Sequence, residues 1–184
     1  MSRFVIIRDT LNNSSDVLDV FKTLVGHNVE LYENNNCVIA KYGYDNQNDV
    51  HDLLISFINE NMVSLTCYIS SLQPSAIDDE IAIGLSLINK LPIGVYNLKE
   101  ALLNSRGIDN CKEILDVILY SSGIDVEFVR QFVSYDLNIS KASKCMYIHR
   151  NTLNYKLDKL YELSGFDLRV FLDSYIIYNL IQNR

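Results

Sequence analysis

Along the first hundred residues the spacing of apolar positions changes period repeatedly. "RFVIIR" at 3–8 is a continuous apolar run of strand length. "DVLDVFKTLV" then carries Val17, Leu18, Phe21, Leu24 and Val25, the spacing of an amphipathic helix. "NVELYENNNCVIAKYG" holds two strand-like runs joined by "ENNN", a hairpin signal. "DVHDLLISFINENM" returns to helical spacing, and "VSLTCYIS" is rich in β-formers. "IDDEIAIGLSLINKL" predicts a helix with acids in its first turn, and "GVYN" a last short strand before the helical "LKEALLN". The order β-α-β-β-α-β-α predicts an α/β sandwich, a mainly antiparallel sheet with helices on one face.

After residue 104 the strand signals stop. "SRGID" at 105–109 and "SSGID" at 121–125 punctuate a region of helical period, so the domain boundary falls within 104–124. The expected division is an α/β regulatory or interaction domain at 1–104, a helical linker at 105–123 and an all-α domain at 124–184, an α+β chain as a whole. Three helices are legible in the last part. The first runs through Val126, Val129, Phe132 and Val133 to near Asp136. The second starts at Asn138 or Ser140, both good N-caps, and is expected to bury Ala142 and Met146. After a tight turn at Tyr147-Ile148 the third begins near His149, and Leu153, Leu157 and Leu160 fall within about sixty degrees of one another. Gly165 is placed as a left-handed cap with Phe166 closing over it. Two short helices with Ala142 and Ser143 at their crossing, and Ile148 as the buried turn residue, make a helix-turn-helix.

Charge turns that geometry toward a partner. The 184 residues carry a formal net charge of −7, yet 138–160 hold Lys141, Lys144, Arg150, Lys156 and Lys159 against one acid, Asp158. That local balance is +4, leaving −11 for the remainder. A cationic patch inside an acidic chain is what phosphate binding requires. With the leucines turned inward, the third helix presents Arg150, Asn151, Asn154 and Tyr155. Arginine bonds a guanine edge bidentately and asparagine does the same to adenine. The four lysines are expected at phosphates, the alternative being a solvated face. His149 is either an N-cap or a DNA contact, Tyr155 lies at the backbone or against a partner helix, and Tyr147 and Thr152 complete the expected surface.

Composition narrows the rest. Hydrophobic residues at 48% and charged residues at 21% are globular values. Cys37, Cys67, Cys111 and Cys145 are far apart, which predicts buried free thiols in a reducing cytosol. "FVIIRDT" is too short for a signal peptide, and the apolar run "IAIGLSLI" at 81–88 is far short of a membrane span, so a cytoplasmic protein is expected. The acids "DDE" at 78–80 suit a helix N-terminus better than a metal site. His27, His51 and His149 have no nucleophile or carboxylate at telling spacing, and no glycine loop cradles phosphate. No catalytic residue, metal ligand or cofactor is therefore expected.

The segment "NISKASKCMYIHRNTLNYKLDKLYELSGFDL" resembles the C-terminal helix-turn-helix of the PucR/CdaR family of bacterial transcriptional regulators. The likeness centres on "IHRNTLNYKLDKLYELSG" and covers roughly 124–184, since "SYIIYNLI" resembles that domain's closing helix. Fis-type helix-turn-helices are more distantly similar, but they usually have glycine where this chain has Tyr147. "RVFLDS" after Leu168 departs from the family, which tends to have acidic residues and proline there. The first hundred residues resemble, more weakly, the GGDEF-like domain that precedes this helix-turn-helix in the family. The corresponding hairpin reads "YENNNC", with only Glu33 acidic and neither glycine, which implies the fold without cyclase chemistry. The resemblance implies a regulator that binds double-stranded DNA, not an enzyme. The rivals are a nucleotide-cyclase-like enzyme and an interaction module that has lost DNA binding. A homodimer is expected, with the apolar helices in 111–133 and 170–181 as candidate surfaces and half-sites about 34 Å apart.

Overall fold

Strand β1, Arg3–Asp9, is central because it is apolar on both sides: Phe4, Val5, Ile6 and Ile7 are all buried. In the computed structural model, which describes residues 3–9, 19, 21–22, 29–34, 36–43, 47–61, 63–72, 76–120 and 122–184, β1 is the third of five strands. The others are β2 (Val29–Asn34), β3 (Cys37–Tyr42), β4 (Leu65–Ile69) and β5 (Gly94–Tyr96), in the order β2-β3-β1-β4-β5. β2 and β3 form the expected hairpin, with Asn34 opposite Cys37; Asn35 of its turn lies outside the described residues. Among the described residues only β4 and β5 pair in parallel.

Helices cover both faces of this sheet, not the single face expected. Val5 and Ile7 share a core with Ala40, Tyr42, Cys67 and Val95 beneath Val50 and Leu54 of helix α1, Gln47–Asn61. On the opposite face Phe4 stacks on Tyr68 with ring centroids 6.1 Å apart, under helix α2, Ile77–Ile88. There a Cβ added at Gly84 would stand 2.6 Å from Ile6 Cδ1 and 2.8 Å from Tyr68 Cδ1, so the helix backbone approaches the sheet closely. The reason lies in the run "FVII". Successive strand residues point to opposite faces, so an unbroken apolar run needs cover on both. Of the helix expected at 16–25, Asp19, Phe21 and Lys22 are helical, while Val17, Leu18, Leu24 and Val25 lie outside the described residues.

The acids at 78–80 divide between two tasks. Asp78 and Asp79 are exposed, whereas Glu80 is buried. Its Oε1 accepts from the Ser71 N–H at 2.6 Å, the Leu72 N–H at 3.2 Å, and the Tyr68 and Ser71 hydroxyls at 3.2 and 3.1 Å. Burial pushes this carboxyl up from its ordinary value, and the donors pull in the other direction. Helix α3, Leu98–Asn104, opens on a capping box between Asn97 and Glu100.

The chain divides into two compact units, Met1–Gly107 and Ile108–Arg184. The second holds α4 (Cys111–Leu119), α5 (Val126–Ser134), α6 (Ile139–Cys145), α7 (Arg150–Ser164) and α8 (Phe171–Gln182). The stretch expected as a helical linker contains α4, whose Cys111, Ile114, Leu115, Ile118 and Leu119 are buried in this unit, where α4 packs on α7 and α8. Gly165 caps α7 in the left-handed region at φ +75°, and Phe166 behind it is fully buried. The "RVFLDS" segment latches α8 in place. The Asp173 carboxylate accepts from the Asp167 N–H at 2.7 Å, and Arg169 bridges Asp167 and Asp158, each at 2.7 Å. Cys37, Cys67 and Cys111 are buried free thiols as expected, but Cys145, the last residue of α6, is exposed. Among the described residues no helix is long and apolar enough to cross a membrane.

Candidate nucleic-acid interface

Helix α6 starts where its sequence says a helix should. The Asn138 side chain accepts from the Lys141 N–H at 3.0 Å, an N-cap bond. Ala142 is wholly buried where α6 packs on α7. Met146 and Ile148 are only half-buried, against the expectation that both are core residues. A seven-residue helix and a short turn cover too little surface to enclose them.

The turn between α6 and α7 is held by the Ile148 N–H, which donates to the Ser143 carbonyl at 3.0 Å. Its tightness puts Tyr147 at φ +54°, in the left-handed region. For a residue with a Cβ that conformation costs roughly 1–2 kcal/mol. Tyr147 is also 96% exposed, so little packing offsets the cost.

His149 resolves as the N-cap of α7. Its Nδ1 accepts from the Asn151 N–H at 3.2 Å, so in the neutral ring Nε2 carries the proton. Leu153, Leu157, Leu160 and Ser164 form the buried stripe of the helix. At roughly 100° per residue, Asn151 and Tyr155 lie opposite that stripe, with Thr152 and Lys159 beside them. Arg150 and Asn154 flank the stripe on one side and Lys156 on the other. Arg150, Asn151, Thr152 and Tyr155 are exposed, and Asn154 is half-buried.

The five cations do not stand alike. Lys156 Nζ donates to the Gly123 carbonyl and sits 5.5 Å from the centroid of the Phe128 ring, tying α7 to the start of α5. Lys141 Nζ lies 2.7 Å from the Asp136 carboxylate, and that hydrogen bond raises the lysine's pKa. Lys144, Arg150 and Lys159 have no acidic partner among the described residues. Asp158, the one acid of the segment, is held by Arg169, a residue that counting over 138–160 leaves out. Phe128 was missed as well. Its signal was the i, i+4 spacing to Phe132, on which it stacks at 6.4 Å.

Residues 126–178 match the PucR C-terminal helix-turn-helix domain. This segment is a PucR-type helix-turn-helix. A stretch of 53 residues is 38% identical to the DNA-binding transcriptional activator AdeR of Bacillus subtilis (strain 168), covering 29% of this chain and 13% of that protein. A stretch of 40 residues is 48% identical to the carbohydrate diacid regulator of Escherichia coli (strain K12), covering 22% of this chain and 10% of that one. The matched part is thus a small fraction of each relative's length. A crystal structure of the regulator of polyketide synthase expression from Bifidobacterium adolescentis has a similar fold. The TM-score is 0.51 at 18% identity, over 98% of this chain and 78% of that one. Within the PucR-type domain, the residues expected to meet DNA lie on α6 (Lys141 and Lys144), the α6–α7 turn (Tyr147 and His149) and α7, where Lys156 turns toward α5.

Proposed function

We propose that this chain is a DNA-binding transcriptional regulator whose PucR-type domain sets α7 in the major groove. Arg150, Asn151 and Asn154 meet base edges. Lys144, Lys159, Lys141, Tyr147, His149, Thr152 and Tyr155 meet the sugar-phosphate backbone. The observation that carries this reading is the placement of Lys144, Arg150 and Lys159. Among the described residues all three are without an acidic partner, on a helix-turn-helix whose leucine stripe is buried, in a chain of net charge −7. The B. subtilis relative is itself described as a DNA-binding transcriptional activator, which supports the same direction.

Binding of this kind releases counterions, so affinity for random duplex should fall steeply with salt. Titration of a labelled random duplex at several salt concentrations tests it. Absence of binding at low salt would return the domain to the role of an interaction module. The N-terminal unit serves regulation or protein contact in this reading, as a GGDEF-like fold without cyclase chemistry. Its hairpin reads Glu33-Asn34-Asn35-Asn36, without the glycines and paired acids of a cyclase. Cyclic dinucleotide formed from GTP and magnesium above a buffer control would refute that. The protein works in the cytoplasm as a homodimer, on two half-sites related by a two-fold axis.

A further inference from the structure

Helix α8 buries Asp173, Ser174, Ile176, Ile177, Leu180 and Ile181 against its own unit and still leaves an apolar face in solvent. Phe171 is 74% exposed and Tyr175 52%, and their rings stack at 6.3 Å. Tyr178 continues the line at i, i+4, i+7, and Leu172 stands beside it, also exposed. The only charged side chain of α8 is the buried Asp173, so this face carries no charge at all. Phe171 and Leu172 also fall in the "RVFLDS" segment, where the chain departs from the acidic and proline residues of the family it resembles.

We infer that this face is where two copies of the chain join. The inference rests on the DNA-binding reading above for its purpose, and on three structural observations for its place. The first is elimination: the other apolar helices expected to supply a dimer surface, at 111–133, spend Ile114, Leu115, Ile118, Phe128, Val129 and Phe132 in their own core. The second is charge. Two chains of net charge −7 repel, and an uncharged face lets them meet without opposing like charges. The third is area. With about 150–250 Å² per aromatic side chain, the exposed parts amount to several hundred Å² per copy. A two-fold pairing that covers all of it buries at most about 1,000 Å² in total, the low end of specific interfaces, which fits a dimer of micromolar strength.

Sedimentation equilibrium of the full chain, from low to high micromolar concentration, tests this. The parent should be dimeric. Phe171→Glu combined with Tyr175→Glu should be monomeric, with unchanged circular dichroism. Tyr175→Ser adds no charge and should raise the dissociation constant by roughly tenfold. Arg150→Ala should remain a dimer while binding its selected DNA site more weakly, which separates this assignment from the DNA-binding reading. A parent that stays monomeric at high micromolar concentration overturns the inference and gives the face to a different protein. So do Tyr175→Ser and a folded double variant that both keep the parent's dissociation constant.

Discussion

Lys156 and Lys159 lie three residues apart on α7, and the fold gives them different work. Both were expected at phosphates. Lys156 instead spends its charge on the Gly123 carbonyl and the Phe128 ring. Lys159→Ala should lower the slope of log affinity against log salt by about one, whereas Lys156→Ala should leave that slope alone. Lys156→Ala should instead lower stability by about 1 kcal/mol, read by urea unfolding. Charge counting could not tell the two apart, because the partner of Lys156 sits 33 residues away in sequence. Glu80 was legible only as a helix N-terminal acid for the same reason: its donors come from strand β4 and the loop after it. Its raised pKa means the folded state holds the proton more tightly than the unfolded chain. The stability it gives is complete below the unfolded value and is lost as pH rises through the folded one. Glu80→Gln should therefore flatten the fall in stability with rising pH relative to the parent, measured by urea unfolding from about pH 4 to pH 7.

At the scale of the elements, most of the C-terminal unit could be read from spacing alone. Asn138 and His149 as caps, the leucine stripe, and Gly165 with Phe166 each follow from a local pattern, and each is present. Leu153→Ala should cost about 2–5 kcal/mol, because a fully buried leucine leaves a cavity at the centre of the helix-turn-helix. The sheet was less legible. Its strands were visible, but which faces carried helices depended on reading "FVII" as buried on both sides. The turn at Tyr147 shows a different limit: its left-handed backbone is visible only in three dimensions. Tyr147→Gly should relieve the strain and, after the entropic cost of glycine, stabilise the unit by roughly 0.5–1 kcal/mol. If the ring contacts the DNA backbone as proposed, the same variant binds random duplex more weakly. A thermal melt and a duplex titration read the two effects separately.

For the whole molecule, the contrast between an acidic chain and a locally basic helix-turn-helix is the feature that organises function. Net charge disfavours nucleic acid over most of the chain, so in the proposed reading DNA should approach the surface that carries the exposed Lys144 and Arg150 and the half-buried Lys159. The measurement that tests this account most directly is a titration of parent and Arg150→Ala on two duplexes. One is a site selected from a random-sequence pool, and the other is random DNA. The expected result is a folded Arg150→Ala variant that loses roughly 1–3 kcal/mol on the selected site, with relaxed preference at the base it reads. A folded Arg150→Ala variant that binds both duplexes as the parent does would contradict the assignment of α7 as the reading helix.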